Sequence, residues 1–216
     1  MYAAASLTNV FPRIDRSPRY SFGGSNTLAA QIEQGAPADV FAAANTKLPQ
    51  QLYEAGLVLK PVVFTRNELV LVVPRPNPQG IHRVGDIERR GTKLVVAGPT
   101  VPAGAYTLQV LRAMGQSSVL DNVVSEETDV RDVLAKVALG EADAGFVYAT
   151  DAKAVAGRVL VIRLPASAQP SIAYSVAIVK ATRNRASAQA FVNRLVRKPA
   201  QVKLVAAGFL PRLARP

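Results

Sequence analysis

Short apolar runs rich in β-branched residues alternate along the chain with segments whose apolar residues recur every three or four positions. The apolar runs predict buried strands at 38–44, 68–74, 93–98, 144–150, 158–164 and 172–179. The spacing of three to four predicts helices at 27–34, 47–55, 104–114, 130–139 and 186–196. Because strands and helices alternate, we expect an α/β fold built on doubly wound, mainly parallel sheets. In such sheets ligands bind beyond the carboxyl ends of the strands, where helices begin.

Two serines stand at predicted strand-to-helix junctions in the first part of the chain. Ser6 follows AAA and is expected to cap a helix that LTNVF begins. Pro12 falls within that helix, where a proline bends the helix or costs about 3 kcal/mol. Ser25 follows two glycines, which let the backbone approach a ligand closely, and is expected to cap the next helix. A serine hydroxyl and the N–H groups of a helix start can bind an anion without any charged side chain.

Similar junctions recur in the second half. Ala103 follows KLVVAGPTVP, with Pro102 near the first helical position. Val130 begins a helix that Thr128 or Asp129 can cap, and we expect Asp129 to act as this cap. We interpret Glu127 as solvated. Tyr148 ends a predicted strand, where it can present a phenolic O–H donor.

The composition of the 216-residue chain is that of a globular protein, as one large domain or two small ones. No apolar run is long enough for a transmembrane helix, and the absence of cysteine excludes disulfides and thiolate metal sites. All fifteen acidic residues lie within 1–151, whereas twelve of the twenty-six basic residues lie within 152–216. These basic residues are scattered between apolar positions, and no nucleic-acid-binding motif accompanies them. We therefore favour a solvated basic face over a docking or membrane face, and expect no nucleic-acid partner.

Catalytic motifs are missing from the sequence. The single histidine, His82, lies in a predicted surface turn, and no G-x-S-x-G, S-x-x-K, P-loop or metal-spaced set of His, Asp and Glu occurs. The sequence thus favours a binding protein over an enzyme.

Six segments of the chain resemble the periplasmic molybdate-binding proteins of ABC transporters, which belong to the type II periplasmic-binding superfamily. In chain order they are AAASLTNVF, FGGSNTLAAQIEQGAPADVFAAA, NELVLVVPRPNP, AGPTVPAGAY, EETDVRDVLAKVALGEADAGFVYATDA and AYSVAIV. The resemblance implies a two-lobed fold in which each lobe is a doubly wound, mainly parallel sheet flanked by helices, with the ligand cleft between the lobes. It places one lobe at 1–70 plus 176–216 and the other at 71–175. The turn RPNPQG (75–80) suggests a crossing between them.

The same resemblance implies the residues that bind the oxyanion. Serine hydroxyls and N–H groups, two backbone N–H groups and one phenolic O–H are expected to come from Ser6, Ser25, Ala103, Val130 and Tyr148. The implied ligand is molybdate or tungstate, with no cofactor and no bound metal cation. Both are tetrahedral dianions without a proton at neutral pH, so a site made of donors alone suits them.

The resemblance further implies a monomeric periplasmic receptor that delivers its ligand to an ABC permease, and a membrane contact only through the permease or a lipid anchor. No export signal precedes Met1, so either a signal has been removed or the start is misplaced. Two alternatives stay open: a sulfate, thiosulfate or phosphate receptor of the same fold, and the ligand-sensing domain of a transcription regulator.

Overall fold

The computed structural model describes residues 1–212, which form ten strands and eight α-helices. The strands are β1 Tyr2–Ala4, β2 Ser21–Gly23, β3 Val40–Ala43, β4 Val62–Asn67, β5 Leu69–Pro74, β6 Leu94–Ala97, β7 Val123–Glu127, β8 Ala144–Tyr148, β9 Val159–Arg163 and β10 Ile172–Ile178. The helices are α1 Phe11–Ile14, α2 Ser25–Glu33, α3 Lys47–Glu54, α4 Pro102–Ala113, α5 Val130–Ala138, α6 Ala149–Ala154, α7 Arg185–Leu195 and α8 Lys198–Ala206. All six strands and all five helices predicted from the hydrophobic pattern are confirmed.

The chain folds as two compact units, each with its own five-stranded sheet. The first unit contains Met1–Asn67 and the segment that begins at Ile172, and the second contains Glu68–Ser171. In the first unit the strand order is β2-β1-β3-β10-β4, and helices α2 and α3 cover an apolar core that includes Leu28, Ile32 and Phe41. In the second unit the order is β7-β6-β8-β5-β9. The two-lobed α/β architecture is thereby confirmed.

Both sheets are mainly parallel, as expected, with one antiparallel strand in each. In the first unit β1 runs parallel to β2 and β3, whereas β10 runs antiparallel to β3 and β4. The second unit repeats this pattern, because β6 is parallel to β7 and β8 while β5 is antiparallel to β8 and β9. In each sheet the antiparallel strand is the one by which the chain enters that unit from the other. The apolar runs of these strands look the same in either direction, so the pattern did not reveal their orientation.

The chain passes between the units slightly earlier than the expected boundaries after residues 70 and 175. The first passage separates Asn67 from Glu68, and the second separates Ser171 from Ile172. The reason is strand pairing: Ile172 already pairs with Asn67 of β4, so all of β10 belongs to the first unit. The turn at 75–80 therefore lies inside the second unit, after the passage. Residues 213–216 of the expected first lobe lie outside the described residues.

The first turn of α4 packs directly against the end of β6, and this contact requires glycine. A Cβ atom on Gly104 would lie 2.1 Å from the carbonyl oxygen of Gly98 and 2.2 Å from that of Ala97. Backbone atoms at these distances cannot move aside as a flexible side chain could. Gly104 therefore allows the start of α4 to reach the carboxyl end of β6.

We predict that Gly104→Ala lowers the free energy of unfolding by about 3 kcal/mol, because the helix must shift away from the strand. Chemical denaturation of the purified chain measures this loss. Gly85→Ala is the matched control in the same unit, since its Cβ would meet only the side-chain nitrogen of Gln116, at 3.0 Å. Equal stability of the two variants would contradict the prediction.

Candidate functional site

Ser25 is the first residue of α2 and is almost completely buried, at 2% exposure. The expectation that Ser25 caps this helix is wrong, because Gly24 occupies the N-cap position and no side chain caps the helix. Instead, the Oγ of Ser25 accepts a hydrogen bond from the backbone N–H of Ala44 at 3.1 Å. The hydroxyl keeps its own proton for donation to another acceptor. N–H groups in the first turn of α2 also lack acceptors within the helix.

Ser6 lies in a short 3-10 turn, Ala5–Leu7, that directly follows β1. It caps no helix, so this expectation is also wrong: the first α-helix begins only at Phe11. Pro12 falls in the first turn of that helix, where a missing N–H breaks no helical hydrogen bond. The proline therefore neither bends a helix nor disturbs Ser6. The buried Oγ of Ser6 is hydrogen-bonded to the hydroxyl of Tyr174 at 2.8 Å.

In the second unit, Val130 begins α5 directly after Asp129, and the expectation that Asp129 caps this helix is confirmed. The Oδ1 of Asp129 accepts from the N–H of Arg131 at 2.7 Å and from that of Asp132 at 3.3 Å. Neither bond uses the N–H of Val130. The carboxylate is thus engaged with the helix that it caps.

Ala103 is the second residue of α4, after Pro102 and without a side-chain cap at the helix start. Tyr148 is the last residue of β8 and the N-cap residue of α6, with 1% of its surface exposed. A buried tyrosine presents a donor only along the direction of its O–H bond. Its position at a strand end agrees with the expectation from sequence.

Strand direction brings these residues to common edges within each unit. The parallel strands β1, β2 and β3 place Ser6 and Ser25 beyond the carboxyl edge of the first sheet. We call these two residues the first half-site. The parallel strands β6, β7 and β8 likewise place three residues at or just beyond the carboxyl edge of the second sheet. We call these three the second half-site: Ala103, Val130 and Tyr148.

Asp151 is a buried carboxyl group near the second half-site that sequence reasoning missed. Burial raises its pKa to about 7; Arg131 and a hydrogen bond from the backbone N–H of Tyr148 oppose the shift, and Asp129 adds to it. Its Oδ2 has no hydrogen-bond partner within residues 1–212. The hydrogen bond that Asp151 accepts from the backbone N–H of Tyr148, the N-cap residue of α6, is one half of a capping box. It holds the backbone of Tyr148 in place. The sequence signal was an acidic residue three positions after the strand end.

We expected Glu127 to be solvated, but its side chain is only 12% exposed. Its carboxylate forms an ion pair with Lys136 and accepts a hydrogen bond from Ser125. Burial works against ionisation, but the hydrogen bonds from Lys136 and Ser125 hold its pKa below the ordinary value. The negative charge of this carboxylate is therefore balanced by Lys136 within the second unit, which weakens its repulsion of an anion.

Within residues 1–212, no group of three or more His, Asp and Glu side chains offers a metal site. Across the same residues, no helix has both the length and the apolar composition that crossing a membrane requires.

Residues 18–210 match the family described as bacterial extracellular solute-binding protein, and the chain belongs to this family. Molybdate-binding protein ModA of Mycobacterium tuberculosis (strain H37Rv) is 40% identical over 202 residues, covering 89% of this chain and 76% of that protein. ModA of Escherichia coli (strain K12) is 33% identical over 211 residues, covering 90% and 82%. The solved periplasmic molybdate-binding protein of Azotobacter vinelandii has the same fold, with a TM-score of 0.85, 24% identity and coverage of 98% and 99%. The resemblance drawn from the six sequence segments is confirmed.

We predict that Asp151 makes stability depend on pH in a defined direction. In the unfolded chain an aspartate titrates near pH 3.9, so between about pH 4 and pH 7 the folded chain binds a proton that the unfolded chain does not. Raising the pH through this window therefore lowers the free energy of unfolding, by up to a few kcal/mol, and the loss stops above about pH 7.

Asp151→Asn removes this contribution, and we expect the variant to gain stability relative to wild type as the pH rises from 4.5 to 8. Melting temperatures of both proteins at the two pH values measure the change. Asp121→Asn, at an exposed position, controls for the loss of an acidic side chain. A difference between wild type and Asp151→Asn that is the same at both pH values would contradict the assignment.

Proposed function

We propose that this chain is the extracytoplasmic receptor that binds molybdate and tungstate and delivers them to an ABC importer. The observation that carries the proposal is the chemistry of the two half-sites, whose residues offer hydroxyl and backbone N–H donors and no charged side chain. Identity of 40% and 33% to molybdate-binding proteins supports the ligand.

A site of donors alone suits a dianion that carries no proton. Each oxygen of molybdate or tungstate accepts hydrogen bonds only, so no acceptor is needed in the site. Hydrogen phosphate brings one O–H group, and leaving that donor without an acceptor costs about 1–3 kcal/mol. None of the five residues carries a positive charge, so the partial charges of helix starts, together with O–H donors, balance the anion.

The chemistry of the half-sites does not separate molybdate from sulfate, because sulfate has the same charge and acceptor pattern and differs mainly in size. The similarity to molybdate-binding proteins supports molybdate. A sulfate or thiosulfate receptor is therefore the second candidate. A ligand-sensing domain of a transcription regulator is the third, and an upstream helix-turn-helix in the full reading frame would identify it. In the proposed role the chain performs no chemistry, and the oxyanion is transported cargo, not a cofactor.

The proposed receptor acts outside the cytoplasm as a monomer and docks on a membrane permease. Membership in the extracellular solute-binding family supports this location. A lipid anchor and free diffusion are both compatible with the proposal.

A panel of molybdate, tungstate, sulfate, hydrogen phosphate and nitrate tests the ligand. We expect molybdate and tungstate to raise the melting temperature, since a ligand at a hundred times its Kd adds about 2.7 kcal/mol to the folded state. Differential scanning fluorimetry and calorimetric titration of ligand-stripped protein measure this. Stabilisation by sulfate alone would favour the second candidate, and indifference to all five anions would overturn the proposal.

Two single substitutions test the site. We predict that Ser25→Ala and Tyr148→Phe each weaken molybdate binding about 10- to 100-fold, because each removes a hydrogen bond to a charged ligand. Ser25→Ala also costs about 1 kcal/mol of stability, since the N–H of Ala44 loses its acceptor. Calorimetric titration gives the affinities.

The matched controls remove hydroxyl groups elsewhere: Ser118→Ala at an exposed position, and Tyr20→Phe, whose hydroxyl bonds the carbonyl oxygen of Asp15. Both controls should bind molybdate like wild type. Wild-type affinity in both site variants would show that the half-sites are misassigned.

A further inference from the structure

A chain of buried polar groups in the first unit ends at Ser6. The Nδ2 of Asn67 donates to the hydroxyl oxygen of Tyr174 at 3.3 Å, and that hydroxyl lies 2.8 Å from the Oγ of Ser6. All three side chains are buried, with exposures of 3%, 0% and 6%. These residues are remote in sequence, and the antiparallel pairing of β4 with β10 brings Asn67 and Tyr174 together.

The position of the Tyr174 hydroxyl is fixed by packing. Its ring makes edge-to-face contacts with Phe209, at a centroid distance of 5.5 Å, and with Phe64, at 6.3 Å. A fully buried ring with neighbours on two sides cannot move its hydroxyl away from Ser6 without opening the aromatic core. The hydrogen bond to Ser6 is therefore part of the rigid structure of the unit.

The chemistry of the groups sets the direction of the bond. A phenol is a stronger acid than an aliphatic alcohol, so its O–H is the better donor of the two. The amide of Asn67 already donates to the phenolic oxygen, which favours use of the phenolic proton toward Ser6. With its oxygen accepting from Tyr174, Ser6 must direct its own single proton elsewhere.

We propose that Tyr174 is a positioning residue that holds the hydroxyl of Ser6 as a donor toward the bound oxyanion. The inference rests on the proposed function and deepens it. Ser25 is held in the same way, because its oxygen accepts from the N–H of Ala44. In both serines an internal donor occupies the oxygen and leaves the hydroxyl proton for the ligand. The first half-site thus selects oxyanions that present only acceptors.

A double-mutant cycle tests the proposal by calorimetric titration of the ligand-stripped full chain with molybdate. We expect Ser6→Ala to weaken binding about 10- to 100-fold and Tyr174→Phe to weaken it about tenfold. In the Ser6→Ala background, Tyr174→Phe should change the Kd less than about twofold, since no hydroxyl is left to orient. A merely structural role of Tyr174 would give the same factor in both backgrounds and would overturn the proposal.

Tyr20→Phe is the matched control, because it also removes a tyrosine hydroxyl and its hydrogen bonds from the first unit. It should leave the Kd for molybdate unchanged. Thermal unfolding of each variant, without ligand, confirms that the folded state is being compared. A loss of affinity in Tyr20→Phe equal to that in Tyr174→Phe would overturn the specific role of Tyr174.

Asn67→Asp provides a second test that keeps the tyrosine and its packing. The new carboxylate accepts the phenolic proton, so Ser6 must donate to Tyr174 and turn a lone pair toward the anion. We expect molybdate affinity to fall more than in Tyr174→Phe, and the fall to shrink at least about fivefold in the Ser6→Ala background. Simple charge repulsion would persist undiminished in that background and would overturn the proposal.

The wild-type titration separates the two levels of inference. If wild-type protein binds none of the oxyanions in the panel, the proposed function fails, and the role of Tyr174 fails with it. If wild type binds molybdate and the cycle shows no coupling between Ser6 and Tyr174, the positioning role alone fails.

Discussion

Parallel pairing of three strands in each sheet is the constraint on which both half-sites depend. Because β1, β2 and β3 run in one direction, the turns that follow them meet at one edge of the first sheet. The same holds for β6, β7 and β8 in the second. Helix starts and serine hydroxyls that are distant in sequence are thereby concentrated as donors. The antiparallel strands β5 and β10 complete each sheet without contributing a half-site residue.

Concentrating donors at an edge is not enough, because each donor must also be left available by its own neighbours. Asp129 caps α5 through two N–H groups and leaves that of Val130 out of the cap. Gly104 permits the close approach of α4 to β6 that places Ala103 at the edge. The Oδ1 of Asp129 is thus occupied by N–H groups of the helix that it caps. The partial positive charge of helix starts lets a site without a basic residue favour an anion.

The sequence predicted most of the fold, but only the local part of the site. Apolar runs located six of the ten strands within residues 1–212, but not β1, β2, β4 or β7. The edge strand β7 (VVSEE) has no continuous apolar run, because its side chains alternate between half-buried and exposed. Helix α8 was not predicted, because Val202 and Val205 are exposed and its apolar residues therefore do not fall on one face. The site residues came from family resemblance, not from spacing. The partner of Ser6 could not be predicted, since Tyr174 is 168 residues away and looks like an ordinary strand aromatic.

Most of the basic C-terminal part of the chain lies in the first unit, because β10 returns the chain to that unit. The basic helices that follow it, α7 and α8, pack in that unit, where Arg194 forms an ion pair with Asp15 and Lys203 donates to the carbonyl oxygen of Arg13. Part of the basic excess therefore serves internal contacts. The remaining exposed charges act at long range only, and salt weakens them. In the proposed receptor, selectivity therefore comes from short-range donors, whose directions are fixed by buried partners that salt does not screen.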